Sequence, residues 1–313
     1  MTTLGPRAVH LPPIPAPTRP NLLSSIGSEP RVTPADDGRW ETGIEYRPPR
    51  YAGGGSVDPC GDVGEGAKTT TDSPANVQWD PYMIWTGDQC LAITGQTIID
   101  ETASRARAEL ETQTSHLIEA ILWTNQVDLA DFGASHPNVG LSDASLSDQS
   151  VAPSFGTIYT PNAWDAVPPV SGFKTMVEAL SDALGGARGM IHVEKRVVPL
   201  LAFYGLTVQN GQRLVTTLGD HIVVPGTGYT GSDPAGGASS DEYSWIYGTS
   251  MVEVLLGPID IITPNASEVL NRSTNEIEIR AERMALAHWD RQAHIGLSIC
   301  LEDPAGDCSD AGS

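Results

Sequence analysis

Between about Ile98 and Trp123 apolar residues recur at helical steps: Ile99, Ala103, Ala106, Leu110, Leu117 and Ile121 fall three, four and seven apart. The spacing predicts one amphipathic helix about 40 Å long, with Glu101/Arg105 and Arg107/Glu111 as opposite-charge i,i+4 pairs on its outer face. A second helix is predicted from about Gly172 to Leu184 on Phe173, Met176, Val177, Leu180 and Leu184, stopped by Gly185-Gly186. The period then shortens. Met190 to Val193, Arg213 to Thr217, His221 to Val224, Tyr243 to Tyr247 and Val252 to Leu256 read as short strands parted by Gly, Pro and Asp turns. A short helix from Val197 to Tyr204, opened or kinked at Pro199, falls between the first two. Alternation in the block Glu276 to Leu301 predicts two long strands turning near Asp290, and the fold class is α+β.

Two stretches lack this patterning. Residues 1–38 read as an extended arm, because eight prolines there each remove a backbone donor and hold the preceding residue extended. No acid precedes Glu29, and Arg7 and Arg19 make this arm basic, so it suits a neighbouring acidic surface; the alternative is a disordered tail. In residues 39–96 the aromatics Trp40, Tyr46, Tyr51, Trp79, Tyr82 and Trp85 bracket a glycine-rich polar stretch, Gly53 to Ser73. That stretch cannot form a core of its own. Its aromatic flanks suit anchoring on a partner, with a hairpin folded back on its own domain as the alternative.

Charge narrows the function classes. Across 313 residues, 18 Lys+Arg stand against 39 Asp+Glu, a net −21, which argues against wrapping a nucleic-acid duplex or binding an anionic membrane. No apolar run reaches the 18 residues of a spanning helix, and prolines 12, 13, 15 and 17 interrupt any signal-peptide core, so a soluble protein made in a cytoplasm is expected. The four cysteines, Cys60, Cys90, Cys300 and Cys308, form no C-x-x-C pair, which disfavours a zinc ribbon or a redox motif and leaves buried or incidental thiols.

Candidate chemistry is sparse. Gly226-Thr-Gly-Tyr-Thr-Gly231 matches G-x-G-x-x-G, but a dinucleotide site needs a helix next, and Ser232-Asp-Pro-Ala-Gly-Gly237 cannot supply it. Gly61 to Thr69 misses a phosphate-binding loop because Ala67 separates Gly66 from Lys68. The seven histidines show neither H-x-H nor H-E-x-x-H spacing, although His288 and His294 would approach each other if the final strands formed a hairpin. There is no G-x-S-x-G elbow, so no catalytic residue, cofactor or metal site is expected.

The order of elements nevertheless resembles the major capsid proteins of tailed bacteriophages with the HK97-type fold, especially those of actinobacterial hosts. The stretches that carry the resemblance are Ala103-Ser-Arg-Ala-Arg-Ala-Glu-Leu110, Gly185-Gly-Ala-Arg-Gly-Met-Ile-His192, His221-Ile-Val-Val-Pro-Gly-Thr-Gly-Tyr229 and Asn275-Glu-Ile-Glu-Ile-Arg-Ala-Glu-Arg283. The resemblance implies an HK97-like capsid fold with an N-terminal arm (1–38), an extended loop (39–96), a peripheral domain with its spine helix (97–188), an axial domain (189–262), return strands of the peripheral domain (263–301) and an acidic tail (302–313). It implies a non-enzymatic subunit that assembles in the host cytoplasm, as homo-hexamers and homo-pentamers, into the icosahedral head of a virion. That shell would enclose double-stranded DNA without sequence-specific contacts. Scaffold, portal and decoration proteins are the further partners implied. Arg7, Arg19, Trp40, Tyr46, Tyr51, Lys68, Trp79, Tyr82 and Trp85 are the expected inter-subunit contacts. Alternatives are another virion protein of a tail or decoration type, an encapsulin-like compartment, and a cytoplasmic α+β enzyme.

Overall fold

The computed structural model describes residues 14, 16–17, 19–26, 31–32, 38–46, 77–91, 96–124, 138, 140–142, 157–158, 166–234, 239–262, 276–291 and 293–301. They belong to two compact units: Met1–Pro17 with Trp85–Thr114 and Ile259–Glu282, and Thr18–Ile84 with Ser115–Pro258 and Arg283–Ser313.

The second unit is organised by a mixed seven-stranded sheet. Its strands are β5 (Thr157–Ile158), β6 (Met190–Glu194), β7 (Thr207–Asn210), β8 (Arg213–Thr216), β9 (Ile222–Gly226), β10 (Tyr243–Thr249) and β14 (His294–Cys300), in the order β5-β14-β10-β6-β9-β8-β7. Helix α3 (Pro169–Ala183) packs on it through Phe173, Met176 and Leu180, with Leu184 just beyond its end, against Ile191, Val193, Val223, Ile246, Ile295, Leu297 and Ile299. Each such buried side chain contributes roughly 1.5–3 kcal/mol. The helix begins three residues before the predicted Gly172 because Pro169 fits a first turn whose amides lack partners anyway. It ends as predicted. Gly185 and Gly186 take φ of +59° and +83°, and their N–H groups donate to the Asp182 and Ser181 carbonyls, closing the last turn. Helix α4 (Val198–Phe203) follows a single 3-10 turn and adds Leu201 to the same core.

The N-terminal part of the chain is partly built into this unit. Helix α1 (Leu22–Ile26) lies inside the expected arm, and Leu22 is fully buried. Strand β1 (Arg31–Val32) runs parallel to β11 (Glu253–Leu256). Strands β2 (Ile44–Tyr46) and β3 (Val77–Trp79) pair antiparallel, Ile44 with Trp79 and Tyr46 with Val77, so the segment between them leaves and returns at one place. The glycine-rich stretch lies outside the described residues.

In the first unit β12 (Asp260–Ile262) pairs antiparallel with the first half of β13 (Glu276–His288), Ile261 opposite Ala281. Ile279 is fully buried there with Ile99, Ala103 and Ile261 around it. Strand β4 (Tyr82–Leu91), which the sequence pattern did not mark, also pairs with β13. The long helix α2 spans Gln96–Thr124, 29 residues or about 43 Å. Its residues to Thr114 belong to the first unit and those from Ser115 to the second.

Two expectations are corrected, and the last two strands, which turn near Asp290 as predicted, do not pair with each other as a hairpin: β13 pairs with β11, β12 and β4, whereas β14 pairs with β10 and β5. Their patterns explain the separation, since β13 mixes buried and half-buried positions, while all seven residues of β14 are buried. The buried face of α2 also shifts by one residue in its last turns, to Ile118 and Leu122, leaving Leu117 and Ile121 half-buried. Finally, Cys300 is disulfide-bonded and is not an incidental thiol.

Candidate functional site

The glycine-rich loop after β9 is the natural place to look for a ligand. Its amides already hold an anion, the carboxylate of Glu119 from α2. Glu119 Oε2 accepts hydrogen bonds from the Thr227 amide (2.8 Å), the Gly228 amide (3.1 Å) and the Thr227 hydroxyl (3.2 Å). Its Oε1 accepts from the Leu22 amide (2.8 Å) and the Ser115 hydroxyl (2.9 Å). Glu119 is fully buried, and five donors from three segments replace the water it has lost. Gly228 is required here because a Cβ would collide with the His116 carbonyl and the Ala120 amide of α2. The motif therefore joins the loop to the long helix and to α1.

Three histidines of the second unit, His192, His221 and His294, are likewise bound into the structure. The Gly189 amide donates to His221 Nδ1 (3.0 Å), which puts the ring proton on Nε2, facing Ser181 Oγ at 2.9 Å. Ser181 in turn donates to the Val177 carbonyl. A nucleophilic serine needs the opposite arrangement, with the imidazole accepting its proton, so this pair is not a catalytic dyad. Burial, aided by the Arg188 charge, holds the His221 pKa below its usual value. Thr249 donates to the Ser250 carbonyl, so His192 Nε2 donates to Thr249 Oγ1, and its Nδ1 accepts from the Tyr229 hydroxyl at 2.8 Å. Burial, with a smaller contribution from His294, lowers the His192 pKa to about 3. His294 donates to the Leu141 carbonyl and stacks on Tyr247, which meets Trp123 edge-on. Among the described residues no group of three His, Cys, Asp or Glu is placed to hold a metal ion. Among them, too, no helix is long and apolar enough to cross a membrane.

Among the described residues, exposed apolar surface and a cleft remain. Phe203 is 75% exposed and Leu218 79%, and their turns lie side by side, with Thr217 donating its amide to Leu206 and its hydroxyl to Gly205. Beside them β7 is an edge strand whose Val208 is half exposed. The cleft, about 480 Å³, is lined by β2 residues including Tyr46, by Ser250, Met251, Glu253 and Leu255 around the start of β11, and by His288 to Asp290 at the end of β13.

The expected contact residues divide into three groups. Arg7, Tyr51 and Lys68 lie outside the described residues. Trp79 and Tyr82, 1% and 5% exposed, are buried within the chain: Trp79 packs on Trp289 with ring centres 4.5 Å apart and carries Arg291 over its ring. They have almost no surface left for a neighbour, and Trp40, at 6%, is in the same position. Arg19 is exposed and bonds to Gln212, and Tyr46 is half-buried, its hydroxyl donating to the Trp289 carbonyl. Trp85 is 48% exposed, beneath the Arg280 guanidinium at 4.7 Å. Sequence patterning missed Glu119, Phe203 and Leu218. An acid beside Ile118 on the buried face of a helix, and a large apolar residue just before the turn residues Tyr204-Gly205 or Gly219, were the available signals.

No protein-family model and no curated protein matches the sequence. Solved structures do match. The chain is similar to one from Gordonia phage Cozz (13% identity, TM-score 0.53, 96% of this chain and 92% of that one). It is similar to one from Mycobacterium phage Ogopogo (13%, 0.52, 95% and 97%). It is also similar to the capsid of an empty GTA particle (11%, 0.53, 95% and 96%). Over nearly its whole length, then, the chain has the fold of phage and GTA-particle capsid structures, the HK97-type fold that its order of elements resembles.

Proposed function

We propose that this protein is a structural subunit that self-assembles into a closed icosahedral shell, a phage head enclosing double-stranded DNA. The observation that carries this is the agreement in fold with the GTA-particle capsid, which covers 95% of this chain and 96% of that one. The exposed Phe203, Val208 and Leu218 fit the same role, since apolar surface on an edge strand and its adjoining turns is covered when subunits meet. Repeated by symmetry, moderate contacts of this kind hold a shell that no single contact could. In this proposal hexamers and pentamers of one chain form the shell, residues 189–262 gather around its symmetry axes, residues 1–38 and 39–96 reach to neighbours, and the subunit has no catalytic role.

Expressed alone or with a scaffold protein, the chain is expected to form shells tens of nanometres across in negative-stain images. Leu218→Asp together with Phe203→Asp should abolish them while moving the stability of the free subunit by no more than about 0.5 kcal/mol, because both side chains lie in water. A 33.2 kDa species that stays monomeric at high concentration, with or without a scaffold, would count against the proposal. Rings or tubes would indicate a tail-type protein, and shells loaded with a protein cargo an encapsulin-like compartment.

A further inference from the structure

The hairpin joining β7 to β8 carries a reactive pair of residues with no part in the core. Asn210-Gly211 is the only Asn-Gly step in the chain. Gly211 and Gln212 form the turn, and Asn210 and Arg213 face each other across its base. Gly211 takes φ of +63° at the first turn position, where a two-residue hairpin calls for glycine. Its amide therefore stands outside the ladder. A Cβ built on Gly211 would meet nothing within 4 Å, so the space around it is open. Asn210 is exposed, and among the described residues its side-chain amide makes no hydrogen bond. Because β7 is an edge strand, opening the last rung disturbs pairing on one side only.

The other two described asparagines are arranged differently. Asn21 and Asn138 are 6% and 7% exposed; Asn21 Oδ1 accepts from the Ser24 amide, and Asn138 exchanges two hydrogen bonds with the Asp80 backbone. Each is followed by a branched residue, Leu22 or Val139, which hinders attack by that residue's own nitrogen. We propose that Asn210 is a site of spontaneous deamidation, at which the chain modifies itself through a five-membered imide. Hydroxide takes the Gly211 amide proton, the nitrogen attacks Asn210 Cγ, and the Cγ–Nδ2 bond breaks, releasing ammonia with a proton from water. Water then opens the imide. Breaking the new N–Cγ bond gives aspartate. Breaking the bond to the main-chain carbonyl carbon gives isoaspartate, whose backbone runs through Cγ and is one methylene longer. No oxidant or reductant takes part. Either product sets a carboxylate across the hairpin from Arg213, whose guanidinium donates to the Ile26 carbonyl at the end of α1. The inference does not depend on the chain building a shell.

The test uses the dissociated full-length subunit, aged at pH 6 or pH 8.5 and then digested with trypsin, with circular dichroism confirming at each time that the folded chain is the one reacting. The peptide Val197–Arg213 should gain one mass unit at Asn210, and an isoaspartyl-specific methyltransferase should label a share of it. The gain should be at least tenfold faster at the higher pH, because hydroxide makes the nucleophile, while Asn21 and Asn138 stay intact. On anion exchange the aged protein should split into the original species and a more acidic one, and freshly made Asn210→Asp should elute with the latter. Three outcomes would each overturn the proposal: mass gained at Gln209 or Gln212 in place of Asn210, equal rates at the two pH values, or an Asn210 that stays intact while a synthetic peptide of residues 207–216 reacts to completion.

Discussion

Glu119 and His192 show how burial changes what a polar residue does. Glu119 keeps an acceptor role only because five donors converge on it, four of them from segments distant in sequence and one, the Ser115 hydroxyl, from its own helix. His192 is neutral for the opposite reason: a proton added inside the sheet would lose its hydration, and its pKa falls from 6.5 to about 3. In the unfolded chain the same ring binds a proton below pH 6.5. Acidification therefore favours unfolding, by about 1.4 kcal/mol per pH unit for one such group once the pH is well below 6.5. His221 and His288, also lowered by burial, act in the same direction. Urea titrations of the free subunit at pH 7.5, 6 and 5 should show stability falling as pH falls, and His192→Gln should remove about one group's share of that slope. An unchanged slope in the variant would place the proton elsewhere.

At the scale of elements, the glycine-rich loop and α2 are held by close approach as much as by hydrogen bonds. Gly228→Ala pushes a methyl group against backbone atoms that no rotamer change can move, and it disturbs amides bonded to a carboxylate. A loss of roughly 2–4 kcal/mol is expected. Gly211→Ala is the control, since its Cβ would meet nothing within 4 Å and only its φ of +63° opposes a side chain; it should cost about 1–2 kcal/mol. Comparable denaturation midpoints for the two variants would contradict the packing argument. The same elements show what was legible in sequence. Helix α3 and its glycine stop follow from apolar spacing and positive-φ chemistry, both local. The last turns of α2 do not, because Thr114, Ser115 and Glu119 continue the buried face with polar groups: Thr114 is satisfied within the helix by the Leu110 carbonyl and Ser115 by Glu119, but Glu119 itself depends on the distant loop amides. The separation of β13 from β14 was equally hidden. Which sheet a strand joins depends on partners far along the chain, and only the continuous burial of β14 hinted at it.

For the whole molecule, the aromatic-flanked region shows where sequence and structure part. Tryptophan and tyrosine beside a polar loop suggested contact with another subunit, but the same residues also serve to tie a loop's base to its own body. Trp79, packed between Trp289 and Arg291, does the latter, and β2 and β3 close the base by pairing. An arrangement of this kind separates folding from assembly. Residues 53–73 offer only Val57 and Val63 as sizeable apolar side chains, so removing them takes little buried area from any core. Their deletion shortens the connection between Tyr46 and Val77 from 30 residues to 9. The smaller entropy of closing the shorter loop then stabilises the subunit by about 1 kcal/mol. If the loop reaches a neighbour, as proposed, shells of the deletion variant should be absent or miscurved although the free subunit melts no lower than wild type. Hydrogen exchange across residues 53–73 of the intact chain should then be fast in free subunits and slow in shells. Equal protection in both states would mean that the segment folds back on its own subunit, and its deletion should then lower the melting temperature of the free protein.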